Sequence, residues 1–134
     1  MVFMKTSPEQ RDKLKILTAS FARIHKMLLE HQMSELEKTS GAEIKPAARL
    51  NLLLNDPDFV WLRNLSQLMA IADDVYFQKE EITGDQMQRI LTASQDLFIR
   101  ESKTEFTRRY KDSALKLSPL MLEHAQLLNI LKTF

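Results

Sequence analysis

Cysteine is absent from this sequence, so disulfides, thiolate-bound metals and cysteine nucleophiles are excluded outright. Such a composition suits a reducing cytoplasm, the location expected for the chain. Glycine occurs only twice, too seldom to build phosphate-cradling loops, and no Gly-x-Ser-x-Gly nucleophile elbow is present. A dominant charge is missing as well. Nineteen Lys plus Arg against eighteen Asp plus Glu leave a formal +1, which favours neither nucleic acid nor an anionic membrane. No apolar run approaches the roughly 18 residues of a membrane span. The opening MVFMKTSPEQRDK turns charged before any apolar region long enough for a signal peptide, so neither export nor a membrane is expected.

What is present points to helices. At 134 residues, 44% hydrophobic and 28% charged, the chain has the size and composition of one globular domain, expected over 1–134. The few glycines and prolines stand almost entirely where helices would begin or end. Ser7-Pro8-Glu9-Gln10 joins a cap serine, a first-turn proline and a glutamine that can return a hydrogen bond. Ser40-Gly41 supplies a stop. Pro46 opens a short helix that Asn55 ends. Asp56-Pro57-Asp58 repeats the device, with Asp56 as cap, Pro57 in the first position and Asp58 beside the positive end of the helix dipole. Thr83-Gly84-Asp85-Gln86 is a further cap, and Ser118-Pro119 starts the last helix. No segment alternates apolar and polar residues with β-branched enrichment. The fold expected is all-α: an antiparallel bundle of four main helices, about 8–39, 57–78, 84–117 and 119–133, plus a short helix at about 47–54.

The faces of these helices constrain their packing. Stepping about 100° per residue, the 57–78 helix gathers Trp61, Leu62, Leu65, Leu68, Met69, Ala72, Val75 and Tyr76 on one side. Arg63, Gln67, Asp73 and Asp74 fall opposite. Trp61, the only tryptophan, is therefore expected as a packing anchor. Phe59 and Phe77 lie off this stripe, which leaves cover by the preceding loop and short helix, or contact with a partner. The first helix carries a seam of Leu14, Leu17, Phe21, Ile24 and Leu28. Beyond Leu28 that face reaches His31, Gln32 and Glu35, while the apolar set moves to Leu29, Met33 and Leu36. The 84–117 helix shows a larger offset. Met87, Ile90, Leu91, Ser94 and Phe98 share a face that continues into Glu101, Glu105, Arg108 and Asp112, and the apolar set returns about 120° away as Ile99, Phe106, Tyr110, Ala114 and Leu117. A break near 100–103, or a change of packing partner, is expected there, because unpaired buried charge costs several kcal/mol. The last helix is apolar over most of its surface, through Leu120, Met121, Leu122, Leu127, Leu128, Ile130, Leu131 and Phe134. Only Glu123, Gln126, Asn129 and Lys132 offer a wet strip, so this helix is expected either at the bundle centre or in a dimer interface.

The run Asn55-Asp56-Pro57-Asp58-Phe59 through Trp61-Leu62-Arg63, Leu65-Ser66 and Leu68 resembles a D-P-x-F-x-W-L-R-x-L-S-x-L pattern of small uncharacterised bacterial all-helical proteins. The likeness covers 52–74. Asn64 stands where a proline often follows the arginine. The resemblance implies a helical fold and carries no activity, cofactor or partner. Asp56, Pro57, Trp61 and Arg63 form its structural signature, with Arg63 expected to brace the Asp56 turn in preference to binding an outside anion.

Chemistry is thin. A carboxylate-bridged metal site in a bundle calls for Glu-x-x-His on two helices, and the chain has none. His31 with Glu35 and Glu101 with Glu105 stand four apart on helical faces, and His124 could converge with them as a mononuclear metal or ligand set. Such pairs are common on solvated faces. His25 reads as a satisfied boundary residue. No catalytic residues and no cofactor are expected. Charge is uneven: 56–86 holds seven acidic residues against Arg63 and Lys79, and 100–116 holds six basic against three acidic, so the two stretches could meet within one chain or between two. Thr107-Arg108-Arg109-Tyr110-Lys111 is a weak nucleic-acid signal. The expected function is a non-enzymatic protein-interaction or regulatory module, self-associating as a homodimer or meeting a protein partner through helix faces. Phe59, Phe77, Phe106, Tyr110, Leu128 and Leu131 are its expected contact residues. The alternative is a bundle that binds a metal or small ligand through His31, Glu35, Glu101, Glu105 and His124.

Overall fold

The structure, a computed structural model, describes residues 7–100 and 104–134. They are all-α, with no strand among the described residues. The elements are α1 (Ser7–Ser40), α2 (Pro46–Asn55), α3 (Pro57–Val60), α4 (Arg63–Phe77), α5 (Gly84–Phe98), α6 (Glu105–Lys116) and α7 (Ser118–Leu131). No described helix is long and apolar enough to cross a membrane.

Local chemistry sets the ends. Gly41 adopts φ +75° and donates its amide to the Glu37 carbonyl at 2.9 Å, the left-handed stop that a side chain would disfavour. The Asp56 carboxylate accepts from the Asp58 amide at 2.8 Å, with Pro57 in the first turn. Thr83 and Gln86 form a reciprocal capping box, and Gln86 also exchanges amide hydrogen bonds with Gln78 at 2.9 Å each way. Arg11 donates to the carbonyls of Tyr76, Gln78 and Glu80, filling acceptors that the end of α4 leaves open. Thr83→Ala is expected to lower stability by about 1 kcal/mol, within the usual range of lost caps, as read from the urea midpoint. An unchanged midpoint would show that Gln78 and Gln86 hold this corner without it.

The helices run antiparallel to their neighbours. Arg11 meets Tyr76 and Gln78 while His25 meets Ser66, which fixes α1 against α4. Lys13 and Ile16 share a groove with Asn129, Ile130 and Thr133, while Arg23 meets Glu123, which fixes α1 against α7. The α1 seam of Leu14, Leu17, Phe21, Ile24 and Leu28 is fully buried. It packs with Leu65, Leu68 and Ala72 of α4, Ile90 and Phe98 of α5, and Leu120, Leu127 and Leu131 of α7 in one core. Past Leu28 the apolar face does rotate: Met33 is buried, His31 and Gln32 are half-buried, and Glu35 is exposed.

Two expected helices are divided. Instead of one helix over 57–78, a turn at Trp61-Leu62 separates α3 from α4, with the Leu62 amide donating to the Phe59 carbonyl and Leu65 to Leu62 in short three-residue steps. The reason is packing. A straight helix would hold Phe59 off the stripe, whereas the turn brings Phe59, Trp61, Leu62 and Leu65 to the core together. The 84–117 helix breaks where its stripe offset placed the break. α5 ends with the Ile99 and Arg100 amides sharing the Gln95 carbonyl, and the Thr104 hydroxyl caps α6 by accepting from the Thr107 amide.

Candidate functional site

The α6–α7 hairpin, linked through Leu117, carries the features that core packing leaves unexplained. Its inward side is aromatic. Phe106 and Tyr110 stack with centroids 5.5 Å apart, Phe98 meets both edge-on, and Trp61 and Phe21 extend the cluster to α1 and the α3–α4 turn. The Tyr110 hydroxyl lies 2.8 Å from His124 Nδ1 across the hairpin. Burial pushes the Tyr110 phenol well above its ordinary pKa, and the Glu123 charge adds to this. Desolvation lowers that of His124. Beside this pair, Ile99, Ala114 and Met121 wall a groove of about 310 Å³ floored by Phe98, Tyr110 and His124, with Lys111 also lining it.

The outward side of the hairpin is unusually apolar. Leu115 is 83% exposed, Leu122 69% and Met121 57%, and Ile99 at the end of α5 is 49% exposed.

Most of the expected contact residues are not available. Phe59, Phe106 and Tyr110 are buried because the turn at 61–62 and the break before α6 fold their faces inward, and Leu131 is buried where α7 packs into the core. Leu128 is half-buried. Phe77 alone stands open, 76% exposed and edge-on to Tyr76 at 4.8 Å. Leu115 was legible: it sits about 180° from the Phe106–Tyr110 face when stepped round α6.

Among the described residues, His31, Glu35, Glu105 and His124 do not come together as a metal set. Glu101 lies outside the described residues. Among the described ones no group of three or more His, Asp or Glu side chains is placed to hold a metal ion. His31 and Glu35 pair only with each other, at 3.9 Å. They lie on the half of α1 that is tied to the α2 segment by the Glu37 carboxylate, which accepts from the Ile44 amide at 2.9 Å. Glu105 accepts from Arg108 at 2.6 Å and Arg109 at 2.8 Å, which holds its carboxyl down at about 2. His124 is engaged by Tyr110 across the hairpin.

The signature run is a joint. Arg63 donates to the Leu54 carbonyl at 2.6 Å, bracing the end of α2 against the Asp56 turn. The Trp61 indole N–H donates to the Asp58 carbonyl at 2.6 Å. Asp58 meets Arg109 at 3.1 Å, so the acidic and basic stretches touch within the chain. His25, its pKa lowered by burial, lies 3.2 Å from the Ser66 hydroxyl.

A polar cluster that the sequence did not suggest joins α1 to α7. Glu123, expected on a wet strip, is only 6% exposed and accepts from Ser20 Oγ at 2.9 Å and from Arg23 at 2.7 and 3.1 Å. Arg23, the first of its influences, lowers the Glu123 pKa against the opposing effect of burial. The side chains here serve packing and pairing, and the hairpin holds the groove and the open apolar face. Comparison with protein-family models, with curated proteins and with solved structures finds no match for the chain.

Proposed function

We propose that the protein is a non-enzymatic helical interaction module that pairs with a second copy of itself through the outer face of the α6–α7 hairpin. The carrying observation is Leu122, 69% exposed on a helix whose other leucines reach the interior or its edge. Leu115 adds a second open leucine one helix away. Apolar area removed from water stabilises association by about 25 cal/mol per Å² before the costs of pairing. A two-fold axis would place the same patch on both partners, so the patch needs no complement elsewhere on the molecule. The formal charge of +1 offers little mutual repulsion.

Sedimentation across a concentration series tests the reading. The wild-type chain is expected to shift from monomer to dimer, and Leu122→Glu to weaken the dimer at least tenfold, the effect of about 1.4 kcal/mol, with its helical spectrum unchanged. A wild-type chain that stays monomeric throughout overturns self-pairing, and leaves a different protein's amphipathic helix as the partner for this face.

A further inference from the structure

We infer that the groove between the end of α5 and the α6–α7 hairpin is a binding site for a small apolar molecule, of about one aromatic ring, that carries a carbonyl or carboxylate oxygen. Its volume of about 310 Å³ lies at the lower end of the range for small-molecule sites, about 300–1,000 Å³. Ile99, Ala114 and Met121 supply apolar walls, and Phe98 supplies an aromatic floor.

His124 sets the chemistry, beside Lys111, which also lines the groove. His124 Nδ1 is 2.8 Å from the Tyr110 hydroxyl, which leaves Nε2 of the half-buried ring as the nitrogen open to a ligand. A phenol is the stronger donor of the two groups and an imidazole nitrogen the stronger acceptor, so the hydroxyl proton belongs on the bond to Nδ1. The neutral ring must then carry its own proton on Nε2. Desolvation, which disfavours the imidazolium, keeps the ring in that neutral form. The result is a single N–H donor on a half-buried ring, set in a mostly apolar lining that Lys111 also joins, and an acceptor oxygen is the matching group. Tyr110 acts as a positioning residue, since it selects the tautomer without needing to touch the ligand.

The groove shares Ile99 and Met121 with the open apolar side of the hairpin, but Leu122 does not line it, so Leu122→Glu is expected to weaken self-pairing and leave the groove unaltered. The test follows the imidazole resonances of His124 by NMR in the wild-type chain during titration with acetophenone, benzoate and ethylbenzene. The first two should shift the Nε2–H signal saturably and bind about fivefold more tightly than ethylbenzene, the share of one net hydrogen bond. Preference between the ketone and the acid then identifies which oxygen the site takes. His124→Phe should abolish the advantage of acetophenone while leaving ethylbenzene within about twofold, and Tyr110→Phe should reduce the same advantage. Equal binding of ethylbenzene and acetophenone to the wild-type chain, or no His124 response to any probe up to its solubility, overturns the inference without reliance on a variant that fails to fold.

Discussion

Phe21→Ala is expected to remove about 3–5 kcal/mol of stability, the range for a large aromatic lost from a well-packed core. Phe21 is fully buried at the middle of the α1 seam and stacks on Phe98 with centroids 5.8 Å apart and planes 17° from parallel. Phe98 in turn meets Phe106 and Tyr110 edge-on. The substitution therefore opens a void where α1, α5 and α6 converge, and rigid helices close such a void only in part. Denaturant unfolding followed by the fluorescence of the buried Trp61 measures the loss as a lower midpoint at unchanged slope. A loss under about 1 kcal/mol would mean that α1 is not the central helix.

Arg23→Ala is expected to cost about 2 kcal/mol near neutral pH and progressively less in acid. Removing one partner of a fully buried ion pair costs about 3–5 kcal/mol, and the figure is reduced here because the Arg23 side chain is 49% exposed and partly screened by water. The pH dependence follows from Glu123. In the native chain Arg23 holds its carboxyl below the ordinary value, so the pairing stabilises fully above the unfolded-state pKa of about 4.3. That stabilisation is lost as pH falls through the lower, folded-state pKa. Without Arg23, burial is the stronger remaining influence and raises the Glu123 pKa. The variant then gains stability relative to the wild type on acidification, and the two unfolding curves converge. A gap of constant size between about pH 7 and pH 3 would show that Arg23 stabilises the fold through its aliphatic stem and not through Glu123.

Several features of the candidate site were readable from residue order. The offset between the Met87–Phe98 face and the Phe106–Leu117 face announced the break, because buried apolar atoms and buried charges differ in cost by several kcal/mol. Trp61 was placed inward on periodicity alone, and it is buried. The Arg63 brace was also anticipated, since the Asp56 turn lies close enough in sequence for its side chain to reach. The contact residues were less legible, since Phe77 is open while four of the six are buried. Phe59, Phe106, Tyr110 and Leu131 are apolar in any arrangement, and whether such a face meets the core or a partner depends on the direction the chain takes after each turn.

Helix identity, most boundaries and the seam of α1 were set by short-range chemistry: caps that act within three residues, prolines that lack an amide, and a period that repeats every turn. These interactions are complete within a few residues of chain, so they can be seen in the order of the letters. Glu123 with Ser20 and Arg23, Tyr110 with His124, and Asp58 with Arg109 are different in kind. Each pairing brings together side chains from different helices, up to 103 positions apart in the case of Ser20 and Glu123. Their geometry follows from how the helices stack, and from which apolar face of α7 meets α1 and which is left to water.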